Sequence, residues 1–187
     1  LYGLDLSVFP ERPISLAVHL PLNWSGDVLF IENETTFVSL SEGKFAPAHA
    51  CALVYSTGFK ASASRIRVDG RAFLTYTRKS FVEDEVKRFE DWLIRAKGEL
   101  DSYFWGDLDF AGGQILGALR LTFPGTLAWE PGYLPMLTAL KSGVGHQPSM
   151  ADKEAQTDPG TTGCALMDEE LLPAMRSAGL FLDQEYV

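Results

Sequence analysis

The sequence predicts an α/β fold with a mainly parallel central sheet flanked by helices. Three observations carry this expectation. Apolar runs of four or five residues recur, too short for helices and bounded by polar or glycine-rich stretches. Longer stretches between them place apolar residues at helical spacing. The two signals alternate, as they do where helical crossovers join parallel strands.

The elements follow in order. Pro10, Pro13 and Pro21 break up the first 23 residues, leaving Ile14 to Leu20 as one strand candidate. Val28-Leu29-Phe30-Ile31 reads as a buried strand, and Glu32 to Phe37 as a polar loop opening a short helix. Cys51 to Tyr55 is a second buried strand. Residues 60–79 are basic, with six Lys and Arg against one Asp. Ser80 and Glu83 form a capping box at the head of a helix whose apolar stripe runs from Phe81 to Ala96, with Gly98 as its stop. Tyr103-Phe104-Trp105 is a third strand, Ile115 to Leu119 lies on a helix, and Leu127-Ala128-Trp129 is a fourth strand. Residues 142–165, rich in Gly, Ser, Thr, Asp and Pro, read as a flexible surface loop. Asp168 to Ala178 is a last helix stopped by Gly179.

Composition narrows the function classes. The chain has 187 residues, 46% hydrophobic and 22% charged, with a net charge of −9. That is an ordinary globular make-up, long enough for a core without disulfide or metal staples. Collagen-like, coiled-coil and low-complexity classes are excluded. No apolar run approaches the ~20 residues of a membrane span. Cys51 and Cys164 form no ligand or redox pattern and read as free thiols in a reducing cytoplasm. The acidic balance opposes a nucleic-acid coat protein, which should be basic. It leaves room for an enzyme that holds metal ions with carboxylates.

The acids stand where such an enzyme would need them. Ligands of a parallel sheet bind beyond the carboxyl ends of its strands. Glu32 follows the first buried strand there, Glu34 lies two residues on, and Asp107 and Asp109 follow the third. An Asp-x-Asp pair on extended backbone points both carboxylates to one side. Their repulsion is relieved by a cation, and hard oxygen ligands suit Mg²⁺ or Mn²⁺. Gly106, Gly112 and Gly113 would allow a backbone or phosphate to approach closely. The bland alternative is that an Asp at a strand end simply caps the next helix.

The stretches Val28-Leu29-Phe30-Ile31-Glu32-Asn33-Glu34-Thr35-Thr36-Phe37 and Trp105-Gly106-Asp107-Leu108-Asp109-Phe110-Ala111-Gly112 resemble a Toprim domain. Within that family they are most similar to the JetD-like C-terminal domains, from the nuclease subunits of Wadjet anti-plasmid systems, and to the Toprim part of the topoisomerase VI A subunit. The closing Asp183-Gln184-Glu185 also looks like the end of these proteins. The resemblance covers about residues 23–130 and is looser beyond. It implies a metal-dependent DNA endonuclease with Glu32, Asp107 and Asp109 as catalytic residues around Mg²⁺ or Mn²⁺, and Glu34 aiding a second ion or a water. Asn33 departs from the glycine that many Toprim proteins carry after the glutamate. The topoisomerase's nucleophilic tyrosine has no counterpart here.

The partners so implied are double-stranded DNA and the SMC-like condensin complex of the same defence system, with a homodimer in the full-length protein and no membrane. Residues 1–23 would connect to an upstream region, and 24–187 would form the catalytic domain. Arg65, Arg67, Arg71 and Lys79 are candidate phosphate contacts, with a solvated face as the equal alternative. Beside the nuclease stand a non-catalytic Toprim-like DNA- or partner-binding module, a topoisomerase-related DNA strand-cleaving subunit, and a small-molecule phosphotransfer enzyme. The last normally needs a nucleophilic Asp directly after the first strand, where this chain has Glu32.

Overall fold

The structure, a computed structural model, describes residues 13–77 and 82–186. Its strands are β1 (Ile14–His19), β2 (Val28–Ile31), β3 (Ala52–Tyr55), β4 (Ala72–Tyr76), β5 (Ser102–Trp105) and β6 (Leu127–Ala128). They form one six-stranded sheet in the order β4-β1-β3-β2-β5-β6. β3, β2, β5 and β6 run parallel; β1 is antiparallel to β3 and parallel to β4. All four residues of β2 are buried. A central strand covered on both faces is apolar on both, so Val28-Leu29-Phe30-Ile31 shows no alternation.

The helices are α1 (Glu34–Ser41), α2 (Phe59–Ser62), α3 (Glu83–Arg95), α4 (Phe110–Thr122), α5 (Glu130–Lys141) and α6 (Leu172–Ala178). Register decides which of them covers which face. Phe30 pairs with Val54 and Phe104, while Ile31 pairs with Tyr55 and Trp105. The period of two sends these sets to opposite faces. On the first face Phe30 meets the rings of Phe59, Trp92 and Phe123 at 5.7, 6.4 and 5.0 Å, so α2, α3 and the end of α4 pack there. On the second, Phe37 of α1 packs on Tyr55 at 5.7 Å, and Trp105 packs on Trp129 at 5.4 Å. The Trp105 indole also donates to Met136 Sδ of α5 at 3.4 Å. Burying one such ring stabilises by about 2–3 kcal/mol, so this aromatic filling carries much of the core.

Topology creates a crevice. β2 leads through α1 to β3 on one side, and β5 leads through α4 to β6 on the other. Right-handed crossovers in opposite directions put α1 and α4 on opposite faces. The carboxyl ends of β2 and β5 therefore flank a switch point, the usual ligand position in open parallel sheets.

Several expectations change. β1 is hydrogen-bonded between β3 and β4, so the fold begins ahead of the expected boundary at residue 24. β4 rises from the basic stretch, where its charge masked a strand, and α5 is likewise additional. Ser80 and its capping box lie outside the described residues. Among the described ones, α3 begins at Glu83 with Val82 as N-cap and ends at Ala96 in the left-handed region. The last helix opens with a π-helical turn over Leu166–Leu171 before α6.

Residues 142–165 are not a loose loop. Gln156 Oε1 accepts from the Ala111 N–H at 3.0 Å, the Arg176 guanidinium grips Asp158 through two 2.7 Å bonds, and Asp168 accepts from the Thr162 and Gly163 N–H groups at 2.7 and 2.8 Å. A polar segment that cannot join the core is fixed instead by satisfied hydrogen bonds. Among the described residues no helix is long and apolar enough to cross a membrane, and both cysteines are free and buried.

Candidate functional site

Each strand end delivers its acid for a local reason. Glu32 directly follows β2. Asn33 then adopts extended backbone and caps α1, its side chain accepting from the Thr36 N–H at 3.1 Å. An Asn suits this position because the residue starts a helix. Gly106 follows β5 and brings the two strand ends together, since a Cβ there would overlap Glu32 Oε2 and the Phe104 ring. The Asp107 N–H donates to that same Glu32 Oε2 at 3.2 Å.

Asp109 combines two roles that the sequence left as alternatives. Its backbone is extended, and Oδ1 caps α4 by accepting from the Gly112 N–H at 2.8 Å. Its Oδ2 faces the crevice and accepts from Gln156 Nε2 at 2.9 Å. Gly112 is needed here, because a Cβ would collide with the Asp107 carbonyl oxygen. Asp109 is 2% exposed, so its buried oxygens need these hydrogen-bond partners.

The cation at the centre is a side chain. Lys153 Nζ lies 2.8 Å from Asp107 Oδ2, 2.8 Å from Asp109 Oδ2 and 2.8 Å from Asp183 Oδ1. Asp183 also meets His146 Nε2 at 3.2 Å. Next to it, fully buried Gln184 ties the strand ends together. Its Oε1 accepts from the Asn33 N–H at 3.2 Å, its Nε2 donates to the Trp105 carbonyl at 3.1 Å, and its backbone N–H donates to Asp107 Oδ1 at 2.8 Å. Tyr133, also fully buried, accepts from the Gly106 N–H at 3.0 Å beneath the crevice.

Electrostatics follow the packing. Burial, then the charges of Asp107 and Asp109, push the Glu32 carboxyl up to about 8. Burial also raises Asp107, against the pull of Lys153 and the Gln184 N–H. For Lys153, burial works downward but is outweighed by its three aspartates, which hold the ammonium well above its ordinary value. For Asp183, burial works upward but loses to Lys153 and His146, so it stays below the usual carboxylate range. A proton on Glu32 and an ammonium among the aspartates thus offset a concentrated negative charge.

The sequence candidates divide accordingly. Glu32, Asp107 and Asp109 converge. Glu34 instead stands exposed on the first turn of α1, where it complements the helix dipole. Arg67 turns inward: it donates to the carbonyls of Thr122 at 2.6 Å, Trp92 at 2.9 Å and Leu93 at 3.4 Å, and its guanidinium lies 4.3 Å over the Phe123 ring. Thr122 ends α4, whose 13 residues span about 20 Å from the Asp109 cap. Arg67 is therefore a structural rivet at the far end of the sheet, not a phosphate contact. Arg65 closes a 3₁₀ turn, Ala63–Arg65, and Arg71 leads into β4, three strands away from β2. Lys79 lies outside the described residues.

Sequence reasoning missed Lys153, Gln156 and His146 as members of this site, and saw Asp183-Gln184 only as part of a familiar ending. One signal was available: Lys153 is the only Lys or Arg between Lys141 and Arg176. A lone cation in an acidic, apolar-poor segment needs a partner.

The donor chemistry suits a hard divalent ion, since Asp107 and Asp109 offer carboxylate oxygens already gathered round a positive charge. Among the described residues, however, no three Asp, Glu, His or Cys side chains stand in a metal-holding arrangement. The position between the aspartates is taken by the Lys153 ammonium. No family model, curated protein or solved structure matches the chain.

Proposed function

We propose that this chain is a Toprim-type, metal-dependent phosphodiesterase domain that cleaves DNA as part of a Wadjet-like anti-plasmid system. One observation supports the reading: Glu32, Asp107 and Asp109 come from neighbouring strand ends at the switch point of the sheet, with the Asp107 N–H on Glu32 and both aspartates on one ammonium. A bound Mg²⁺ or Mn²⁺ would neutralise the scissile phosphate and lower the pKa of a bound water. Asp107 and Asp109 would hold the ion, with Asp109 oriented by its cap and Asp107 by the Gln184 N–H. Glu32, raised to about 8, is suited to carry a proton near neutral pH.

DNA and an SMC-like complex are the proposed partners, within a homodimeric full-length protein. The chain's charge of −9 and the inward turn of Arg67 mean that duplex must be delivered by other parts. The test is nicking or linearisation of circular plasmid by the full-length protein with Mn²⁺. Activity that is lost in Asp107→Ala supports the reading. Equal inactivity of wild type and Asp107→Ala, with no Mn²⁺ bound, would sink it.

A second reading has its own support. Lys153 already satisfies the aspartates, so the cluster also works as a structural ion network in a non-catalytic DNA- or partner-binding module. A full-length protein that binds DNA tightly in EDTA and never cuts would favour it.

A further inference from the structure

We infer that Lys153 is a tethered occupant of the metal position, and that residues 147–163 form a strap that a divalent ion must displace. The inference rests on the metal-site reading above and adds a regulation to it.

Its support is geometric. The Lys153 ammonium makes three 2.8 Å contacts, each to a different carboxylate, and two of these belong to the Asp-x-Asp pair. It is only 16% exposed, so an ion reaching those oxygens must take its place. The strap is fastened beside it. The Gln156 amide bonds to both the Ala111 N–H and Asp109 Oδ2, Gln114 donates to the Thr157 carbonyl, and a Cβ on Gly113 would sit 3.0 Å from Pro159. The strap's far end is held by Arg176 on Asp158 and by Asp168 on Thr162 and Gly163, away from the carboxylates. Just before Lys153, Asp152 takes a left-handed backbone (φ 53°), which L-residues seldom hold. Withdrawal of the lysine would free that position.

The arrangement has a definite consequence. One ammonium and one divalent ion compete for the same aspartate oxygens, so metal loading and strap opening are one coupled step. The closed strap also lies over the start of α4, with Gln156 on the Ala111 N–H and Pro159 against Gly113. The metal-free protein is thereby shut, and the loaded one open.

The experiment is Mn²⁺ titration of the full chain by calorimetry, with hydrogen exchange read along the chain. Wild type should show faster exchange in 147–163 when Mn²⁺ binds. Lys153→Met should bind Mn²⁺ at least tenfold more tightly and exchange rapidly in 147–163 without metal. Gln156→Ala keeps the ammonium and should shift affinity by less than threefold; it serves as the comparison if Lys153→Met fails to fold, with its strap exchanging faster before metal is added. If wild type and Lys153→Met bind Mn²⁺ within twofold of each other, or if Mn²⁺ leaves exchange in 147–163 unchanged, the strap proposal is wrong while the metal site stands. If folded wild type and folded Lys153→Met both fail to bind Mn²⁺, the metal reading falls and the strap with it.

Discussion

Glu32→Gln isolates the most perturbed acid of the site. Its carboxyl moves from an ordinary 4.5 to about 8, chiefly by burial and then by Asp107 and Asp109. The folded chain therefore holds this proton more tightly than the unfolded chain does. Stability from that source is complete below about pH 4.5, falls as pH rises through the window to about 8, and is gone above it. At ~1.4 kcal/mol per pKa unit, the full loss is roughly 5 kcal/mol. Glutamine mimics the protonated form and has no such loss. The assay is urea unfolding followed by tryptophan fluorescence in EDTA at pH 5, 7 and 9. Wild type should weaken steadily with pH, and the variant should overtake it by several kcal/mol at pH 9. Saturating Mn²⁺ should stabilise both proteins, since Asp107 and Asp109 are intact in the variant. A wild-type stability that is flat or rising from pH 5 to 9, or an equal fall in the variant, would refute the reasoning.

Arg67→Met keeps the aliphatic stem but loses two short bonds to carbonyls and the contact over Phe123; it should cost about 3–5 kcal/mol in urea unfolding and leave DNA affinity of the folded protein unchanged. Asp109→Ala should cost about 1–2 kcal/mol more than Asp109→Asn, because only asparagine preserves the cap on the Gly112 N–H; thermal unfolding of the two separates capping from charge. Gln184→Ala removes both side-chain bonds between the ends of β2 and β5 and should cost about 2–3 kcal/mol, with faster hydrogen exchange at Asn33 and Asp107. Glu34→Ala should change stability by less than about 0.5 kcal/mol and leave Mn²⁺ affinity intact, as measured by calorimetry.

What could be read in the sequence was what depends on local pattern. Val28 to Ile31, Cys51 to Tyr55 and Tyr103 to Trp105 announce themselves as buried strands because both faces are covered and no polar alternation intervenes. Glu32, Asp107 and Asp109 follow from strand ends and a period of two. The rest depended on long-range partners. β4 alternates only between half-buried and exposed positions at a sheet edge, so its apolar signal is weak. Arg67 looked like a surface charge because the carbonyls it satisfies come from α3 and α4. Residues 142–165 are poor in large apolar residues and so read as loose, yet what fixes them is polar: Lys153 and Gln156 against aspartates 46 and 47 residues earlier.

The Gln184 clamp also sets the order in which the protein can be built. Its partners Asn33 and Asp107 lie 151 and 77 residues earlier in the chain. Loops of that length close late, since their entropy must be offset by contacts already made. During synthesis, both acid-bearing strand ends leave the ribosome well before the residue that bridges them. A nascent chain halted before Asp183 would carry Glu32, Asp107 and Asp109 on strand ends held by β2–β5 pairing alone, without the Gln184 bonds that cross them. The site is thus among the last parts of the fold to acquire its full set of hydrogen bonds.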